Sequence, residues 1–569
     1  MKKQKQGGFF GSKGKTAKAS KPPRVKKIAN AEDAATGQAY EVYRFRKVGG
    51  EFVERSIPRA DAQSAPALRK LLLDWNADLP EDSTTILKNA ILAAPPELWL
   101  YAADLGWTDD DKSFVFRDAV LGQQQSSGRS LKPPLVGAIS DGSFQVKGSL
   151  EAWKSLVAGP LAYSSRAMLA TSAGFAAPLM KMVGIQPFGF NLFGEAKSGK
   201  TTILLAASSS FGVSAGTLPN WNATSVGLQE TASAYTDLVL PLNEVGVVPG
   251  NVGQAHHHLR DFIMTFSEAQ PKTRAKVWTA SHPASRTTSW RGIMISTAEQ
   301  SLDQYAELAK ATRAAGEYAR CLDVPALTPN GTTIFDKRPK NIPRKKFVKW
   351  SQNELQAVRV GIEQNHGHAM REFLAYILRK GGLAKRVAEY MDEFEAEVKS
   401  LALKQSLHHA ARCFALIYAG GRIAISAKIL PWKPDNLLKA IAKCFGAAVR
   451  RIRDPETDAI QILKKKVVNL RAWPKMSTKA EWRALEGYLA KTDGKAVVRI
   501  ASTALHGWFS NPAQVRLVLD WLEREGHLIM RKSMGKATKA KGVEAKTRDV
   551  KWPDGSRRST FEFTHPFLE

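Results

Sequence analysis

Cysteine is scarce in this chain. Cys321, Cys413 and Cys444 are the only three in 569 residues, and none forms a CxxC pair. That excludes a disulfide scaffold and a zinc ribbon. Long apolar runs are missing as well. No uninterrupted stretch is long enough to span a bilayer, and the basic N-terminus lacks the apolar segment of a signal peptide. The expectation is a cytoplasmic protein with no membrane partner. Acids are the third shortage. Asp and Glu number 53 against 83 Lys and Arg, which leaves a formal charge of +30 and a pI of about 9.9. A soluble chain this basic points to phosphate-rich partners, DNA or RNA. The bland alternative is a cationic surface kept for solubility.

What is present is enough for several cores. The apolar fraction is 44%, that of a globular protein, and the length exceeds one ordinary domain. Residues 1–35 read as a disordered basic tail, because "MKKQKQGGFFGSKGKTAKASKPPRVKK" has no acid and too little apolar surface to fold. Residues 36–147 read as an α+β domain. It opens with a hairpin across Gly49-Gly50 and closes in a linker, "QQQSSGRSLKPP". Residues 148–345 alternate strands and helices, the pattern of a parallel α/β sheet. Residues 346–452 read as helical. Residues 453–569 read as a winged-helix-like domain: a short helix, a longer amphipathic helix, then a basic loop that ends in the strand "STFEF". Such a domain binds either nucleic acid or protein.

The chemistry concentrates in "FNLFGEAKSGKTTILLAA". Gly194-Glu195-Ala196-Lys197-Ser198-Gly199-Lys200-Thr201 fits G-x-x-x-x-G-K-[ST] without a mismatch, and Thr202 continues it. An apolar strand precedes it and a helix follows, the order a phosphate loop needs. Glycines let the backbone N–H groups wrap a phosphate, and the helix N-terminus adds its positive end. Lys200 is expected to reach the β- and γ-phosphates of ATP, and Thr201 to supply a hydroxyl to Mg²⁺. The acidic partner is expected at the end of "LVLPL", where Asn243-Glu244 stands in place of the usual Asp-Glu. Glu244 is the candidate general base. Asn243 is the candidate metal residue, acting through a bound water, but it brings no charge. Pro241 is awkward inside that strand, since it donates no ladder hydrogen bond. Asp237 starts the strand and so belongs to its wrong end.

Further candidates follow along the chain. "GIMISTAE" ends in Ser296-Thr297, of which Thr297 is favoured to sense the γ-phosphate or orient water. Lys272, Arg274 and Lys276 alternate, so in a strand they share one face that could meet a nucleic-acid backbone. Arg313 and Arg320 are candidates for an arginine inserted into a neighbouring subunit's site, with Arg320 preferred. The run His256-His257-His258 lacks metal-ligand spacing and reads as surface, and His409 with Cys413 reads as core.

Several segments in order resemble the "domain of unknown function 927" proteins of phages, plasmids and other mobile elements. They include "GSLEAWKSLVAG", "NLFGEAKSGKTT", "WNATSVGLQETA", "DLVLPLNEVG", "TRAAGEYARCLDVPA" and "ARCFALIYAGGRIA". The resemblance spans roughly residues 40 to 450. It implies an AAA+ ATPase core, similar to minichromosome-maintenance-like replicative helicases. It further implies a homo-oligomer, in the form of a hexameric ring, with nucleotide between subunits and single-stranded DNA in the pore. By position it makes Lys200 and Thr201 nucleotide and Mg²⁺ ligands, Glu244 the catalytic acid, Thr297 a sensor, Arg320 an arginine finger and Arg412 a second sensor in the helical lid. Asn243 departs from the family pattern.

The reading is therefore an ATP-dependent DNA helicase or translocase serving a mobile element and acting on single-stranded DNA or a forked duplex. One rival is a nucleotide-gated DNA-binding or origin-binding protein with weak turnover. Another is a primase-helicase or RNA-directed ATPase.

Overall fold

A computed structural model describes residues 24–126, 128–135, 144–270, 289–329, 331–401, 405–452, 455–468, 474–475, 481–492, 494–509, 512–529, 531–532, 544–545 and 547–564. By their contacts the described residues separate into two compact units, one built on residues 24–135 and the other on those from 144 onward.

The first unit is α+β. Its six-stranded sheet runs Phe52–Pro58, Ala39–Arg46, Val25–Asp33, Glu97–Tyr101, Arg129–Lys132, Gln125–Ser126 across. The hairpin expected around Gly49-Gly50 is there, with Tyr40 opposite Pro58 and Arg46 opposite Phe52. Helices Ala65–Asp74 and Thr84–Leu92 supply Leu68, Leu72 and Leu87 to a core with Tyr43, Phe45 and Ile57. Two expectations fail here, for one reason. Val25–Asp33, expected in the tail, is an inner strand, antiparallel to Ala39–Arg46 and parallel to Glu97–Tyr101. Arg129–Lys132, expected in a linker, pairs parallel with Trp99–Tyr101. Both segments have weak strand composition and acquire their structure from partners distant in sequence. Val25, Ala29 and Ala31 alternate into the interior, and Lys27 goes in with them because its ammonium donates to Glu41 Oε1 at 3.3 Å and to the Ile91 carbonyl at 2.6 Å.

The second unit holds a four-stranded, wholly parallel sheet in the order Leu238–Leu242, Gly292–Ala298, Phe188–Phe193, Cys321–Pro325. Every residue of the three strands from 188, 238 and 292 is buried, as suits a sheet covered on both faces. Leu238–Leu242 is one of the two edge strands among the described residues, which answers the difficulty with Pro241. Its neighbour pairs it on one side only, so the missing N–H removes no second ladder.

Helix Ser165–Ala176, buried at every position, lies against Lys200–Ser209 and against the long helix Gln405–Ser426. A glycine of the long helix allows that: a Cβ at Gly420 would stand 2.5 Å from the Ala176 backbone nitrogen. The helical stretch expected after residue 346 consists of Phe347–Gln364, His368–Arg379, Leu383–Val398, Gln405–Ser426 and Pro434–Val449. The C-terminal part contains helices Ser502–Gly507 and Pro512–Arg524 over a sheet ordered Gly487–Thr492, Lys495–Ala501, Arg557–Thr564, Arg548–Lys551. "STFEF" falls in Arg557–Thr564, but its partners include Lys495–Ala501, ahead of the helices, as well as Arg548–Lys551. Among the described residues no helix is long and apolar enough to cross a membrane.

Candidate functional site

Phe188–Phe193 ends at the loop that opens helix Lys200–Ser209. The turn needs left-handed backbone at Gly194 (φ 152°), Lys197 (φ 60°) and Gly199 (φ 101°). Two of these are glycines of the motif. At Gly199 a side chain would also meet Ile334 and Leu355, each at 3.1 Å. Lys200 turns its ammonium back into the loop and donates to the carbonyls of Gly194 at 2.7 Å and Glu195 at 2.8 Å, with Ser198 Oγ at 3.4 Å. Burial lowers the Lys200 pKa below that of an ordinary lysine, against the opposing pull of Glu244 and Glu299.

The parallel order brings the acidic strand to the same end. The strand Gly292–Ala298 separates Leu238–Leu242 from Phe188–Phe193, so the residues at its tip face both neighbours. Asn243 Oδ1 accepts from two hydroxyls, Thr201 Oγ1 at 3.1 Å and Thr297 Oγ1 at 2.9 Å. Thr297 Oγ1 in turn accepts from the Glu244 backbone N–H at 2.9 Å. Strand alternation sends the neighbouring hydroxyl the other way, and Ser296 Oγ accepts from the Trp221 indole at 2.9 Å. Glu244 holds φ 56°, a left-handed conformation uncommon for a residue with a side chain, and its carboxylate accepts from the Gly246 N–H at 3.1 Å. Strain of that kind costs about 1–3 kcal/mol and concentrates at functional positions.

Beside this junction the loop and Glu244 line a cavity of about 400 Å³. It includes Ala196 through Thr202, Glu244 and Glu299, and is walled by Gln352, Leu355, Gln356 and Arg359. Thr201, Asn243, Glu244 and Thr297 are thus brought together. Lys200 and the loop's N–H groups suit a phosphate, and the Thr201 hydroxyl oxygen suits a hard cation such as Mg²⁺.

Other candidates lie elsewhere. Asp237 is at the start of its strand, in a two-bonded pair with Arg291 whose Nη2 donates at 2.9 Å. Arg320 ends helix Ala315–Arg320, just before the strand Cys321–Pro325, and donates to the Gly316 carbonyl at 3.0 Å. Cys321 pairs with Gly189, at the opposite end of the sheet from the loop. A five-residue strand of about 16 Å therefore separates Arg320 from its own cavity. Arg313 is buried and committed, with Asp323 Oδ2 at 3.1 Å and the Cys321 carbonyl at 2.6 Å. Arg412 pairs with Glu395 at 3.5 Å and is not among the residues lining the cavity. Lys272, Arg274 and Lys276 lie outside the described residues. Among the described residues no cluster of His, Cys, Asp and Glu could hold a metal by itself. Cys413 Sγ and His409 Nε2 are 3.7 Å apart, with the thiol buried.

Sequence reasoning missed Glu299 and the wall from Phe347–Gln364. Glu299 was within reach, since it directly follows the strand that carries Thr297. The wall carries no motif, and only packing brings it to the loop.

With this geometry in view, comparison with known proteins adds three findings. Residues 22–280 match the family described as "Domain of unknown function (DUF927)". No curated protein matches the chain. Among solved structures, one described as "SCCmec type IV Cch - active helicase" aligns with a TM-score of 0.62 at 15% identity, over 95% of this chain and 93% of that one. A likeness at that identity is one of fold: a mixed α/β architecture with a parallel sheet and many helices. Another, "The A form apo structure of NrS-1 C terminal region-CTR", aligns at 9% identity over 84% of this chain and 96% of that one, with a TM-score of 0.25, too low to bear on the fold.

Proposed function

We propose that this protein is an ATP-driven nucleic-acid motor, a P-loop ATPase of AAA+ type acting as a DNA helicase or translocase for a mobile element. The observation that carries the reading is the junction at the strand tips. Lys200 and Thr201 open the helix after the loop, Asn243 and Glu244 follow the acidic strand and Thr297 comes from the strand between, and hydrogen bonds of 2.9 to 3.1 Å join the last four. Lys200 would bind the β- and γ-phosphates. Thr201 and Asn243 would order the Mg²⁺ shell, the second through water. Mg²⁺ would neutralise charge that develops on the phosphates. Glu244 would take the proton of the attacking water once its carboxylate leaves the Gly246 N–H.

Three features support extending this to a motor. The fold neighbour is described as an active helicase, the net charge is +30, and Arg320 lies a strand's length from its own cavity, as an arginine offered to a neighbouring subunit's site would. The proposal includes a homo-oligomeric ring, expected as a hexamer, in which Arg320 would serve the neighbouring site. The C-terminal helices and sheet suit a winged-helix DNA contact.

ATP turnover with and without single-stranded DNA, together with strand displacement on a forked duplex, tests the proposal. DNA-stimulated turnover that is lost in Lys200→Ala is expected. Binding of ATP and DNA with neither stimulation nor strand displacement would sink the motor reading. It would favour the second reading, a nucleotide-gated DNA-binding protein, for which the uncharged Asn243 is the specific support.

A further inference from the structure

Helix Phe347–Gln364 has no part in the loop motif, yet it walls the cavity. Gln352, Leu355, Gln356 and Arg359 are spaced at three, four and seven residues, which puts them on one helical face. Leu355 seats that face on the loop, 3.1 Å from where a Cβ at Gly199 would stand. One turn farther along, Arg359 reaches the helix that follows the loop and donates from Nε to Thr202 Oγ1 at 2.8 Å. That bond occupies one of the five donors of a guanidinium, and Arg359 has no carboxylate partner among the described residues. Around the cavity three cations, Lys197, Lys200 and Arg359, face two carboxylates, Glu244 and Glu299. An arginine fixed at one nitrogen, left without a counter-ion and exposed beside a phosphate loop is arranged to take an anion.

We propose that Arg359 is a second cation for the nucleotide, supplied by the same chain, and that it binds the phosphate nearest the nucleoside while Thr202 positions it. The side of approach gives the phosphate. Thr201 and Thr202 are successive helix residues and so point about 100° apart. The Thr201 hydroxyl faces Asn243, where the metal and the terminal phosphate belong. Arg359 is anchored at Thr202, turned from that side toward the α-phosphate. Because the wall belongs to the helical region after the sheet, the contact also ties that region to the presence of nucleotide. The inference rests on the cavity's being a nucleotide site.

Calorimetric titration of the full chain with Mg²⁺–ADP, and with Mg²⁺ and a non-hydrolysable ATP analogue, tests it. Arg359→Ala is expected to weaken both ligands alike, by roughly 10- to 100-fold. Arg359→Gln, which keeps most of the stem, should lose as much, and Arg359→Lys should recover part. Asn353→Ala, on an exposed part of the same helix, should bind as wild type. A loss confined to the ATP analogue would move Arg359 to the γ-phosphate and overturn its placement. Wild-type affinity for both ligands in Arg359→Gln would overturn the contact itself. Lys200→Ala separates the two levels. If it abolishes binding while the Arg359 variants keep wild-type affinity, this inference alone falls. If wild type binds neither ligand, the nucleotide reading falls with it.

Discussion

At the tips of the parallel strands, Thr201, Asn243 and Glu244 are partly exposed, and their hydrogen bonds run to neutral hydroxyls and backbone N–H groups. Along the strand Cys321–Pro325 of the same sheet, charge is handled in the opposite way. Asp323 is 5% exposed and accepts from Arg313, from the Asn191 amide at 2.8 Å and from the Leu302 N–H. Arg313 is 4% exposed and meets Asp303 at 3.8 Å and Glu317 at 4.0 Å as well. Burial drives the Asp323 carboxyl above its ordinary range, and Arg313 opposes that. In one place polar groups are held by bonds that a ligand can replace. In the other every charge is already consumed by a partner, so the network can specify packing but cannot bind. Polarity inside a core therefore marks a ligand site only where its partners are exchangeable.

Arg313→Ala should sharpen the comparison most. It strands a buried carboxylate, at a cost of about 3–5 kcal/mol, which a denaturant midpoint would register. Lys200→Ala should move that midpoint far less and instead reduce ATP turnover by at least ~100-fold. If Lys200→Ala unfolds the protein and Arg313→Ala is silent, the division drawn between the two regions is wrong.

Asn243→Asp comes next. The acid keeps an acceptor for both threonine hydroxyls and adds a charge where the proposed Mg²⁺ would sit, so turnover at saturating Mg²⁺ should rise by roughly tenfold. An unchanged rate would mean that Asn243 does not limit hydrolysis. Thr297→Ala, which leaves Asn243 one hydroxyl donor and frees the Glu244 N–H, should lower turnover by about tenfold and cost about 1 kcal/mol of stability.

The smallest effect concerns pH. Burial lowers the free-state pKa of Lys200, whereas a bound phosphate raises it. Binding then takes up a proton once the pH exceeds the free-state value. Affinity for Mg²⁺–ADP should therefore fall as the pH rises from that value toward the ordinary lysine range. Lys200→Arg should flatten this alkaline decline in titrations across the range.

The amino-acid sequence by itself determined the loop. Its glycines, its lysine and the apolar strand before it are local requirements of backbone geometry and phosphate chemistry, and they are legible wherever they occur. It also determined that strands and helices alternate around the loop, because hydrophobic periodicity is local. The inner strand Val25–Asp33, the pairing of Arg129–Lys132 and the wall carrying Arg359 were decided only in three dimensions. Each depends on which residue, tens or hundreds of positions away, completes a hydrogen-bond ladder or fills the space beside it. Parallel pairing joins strands through long crossovers, so the order that inserts Gly292–Ala298 between the loop and Asn243 has no local signature. Lys200 could be found from its neighbours in the chain, whereas Arg359 is separated from Thr202 by 157 residues and becomes its neighbour only through packing.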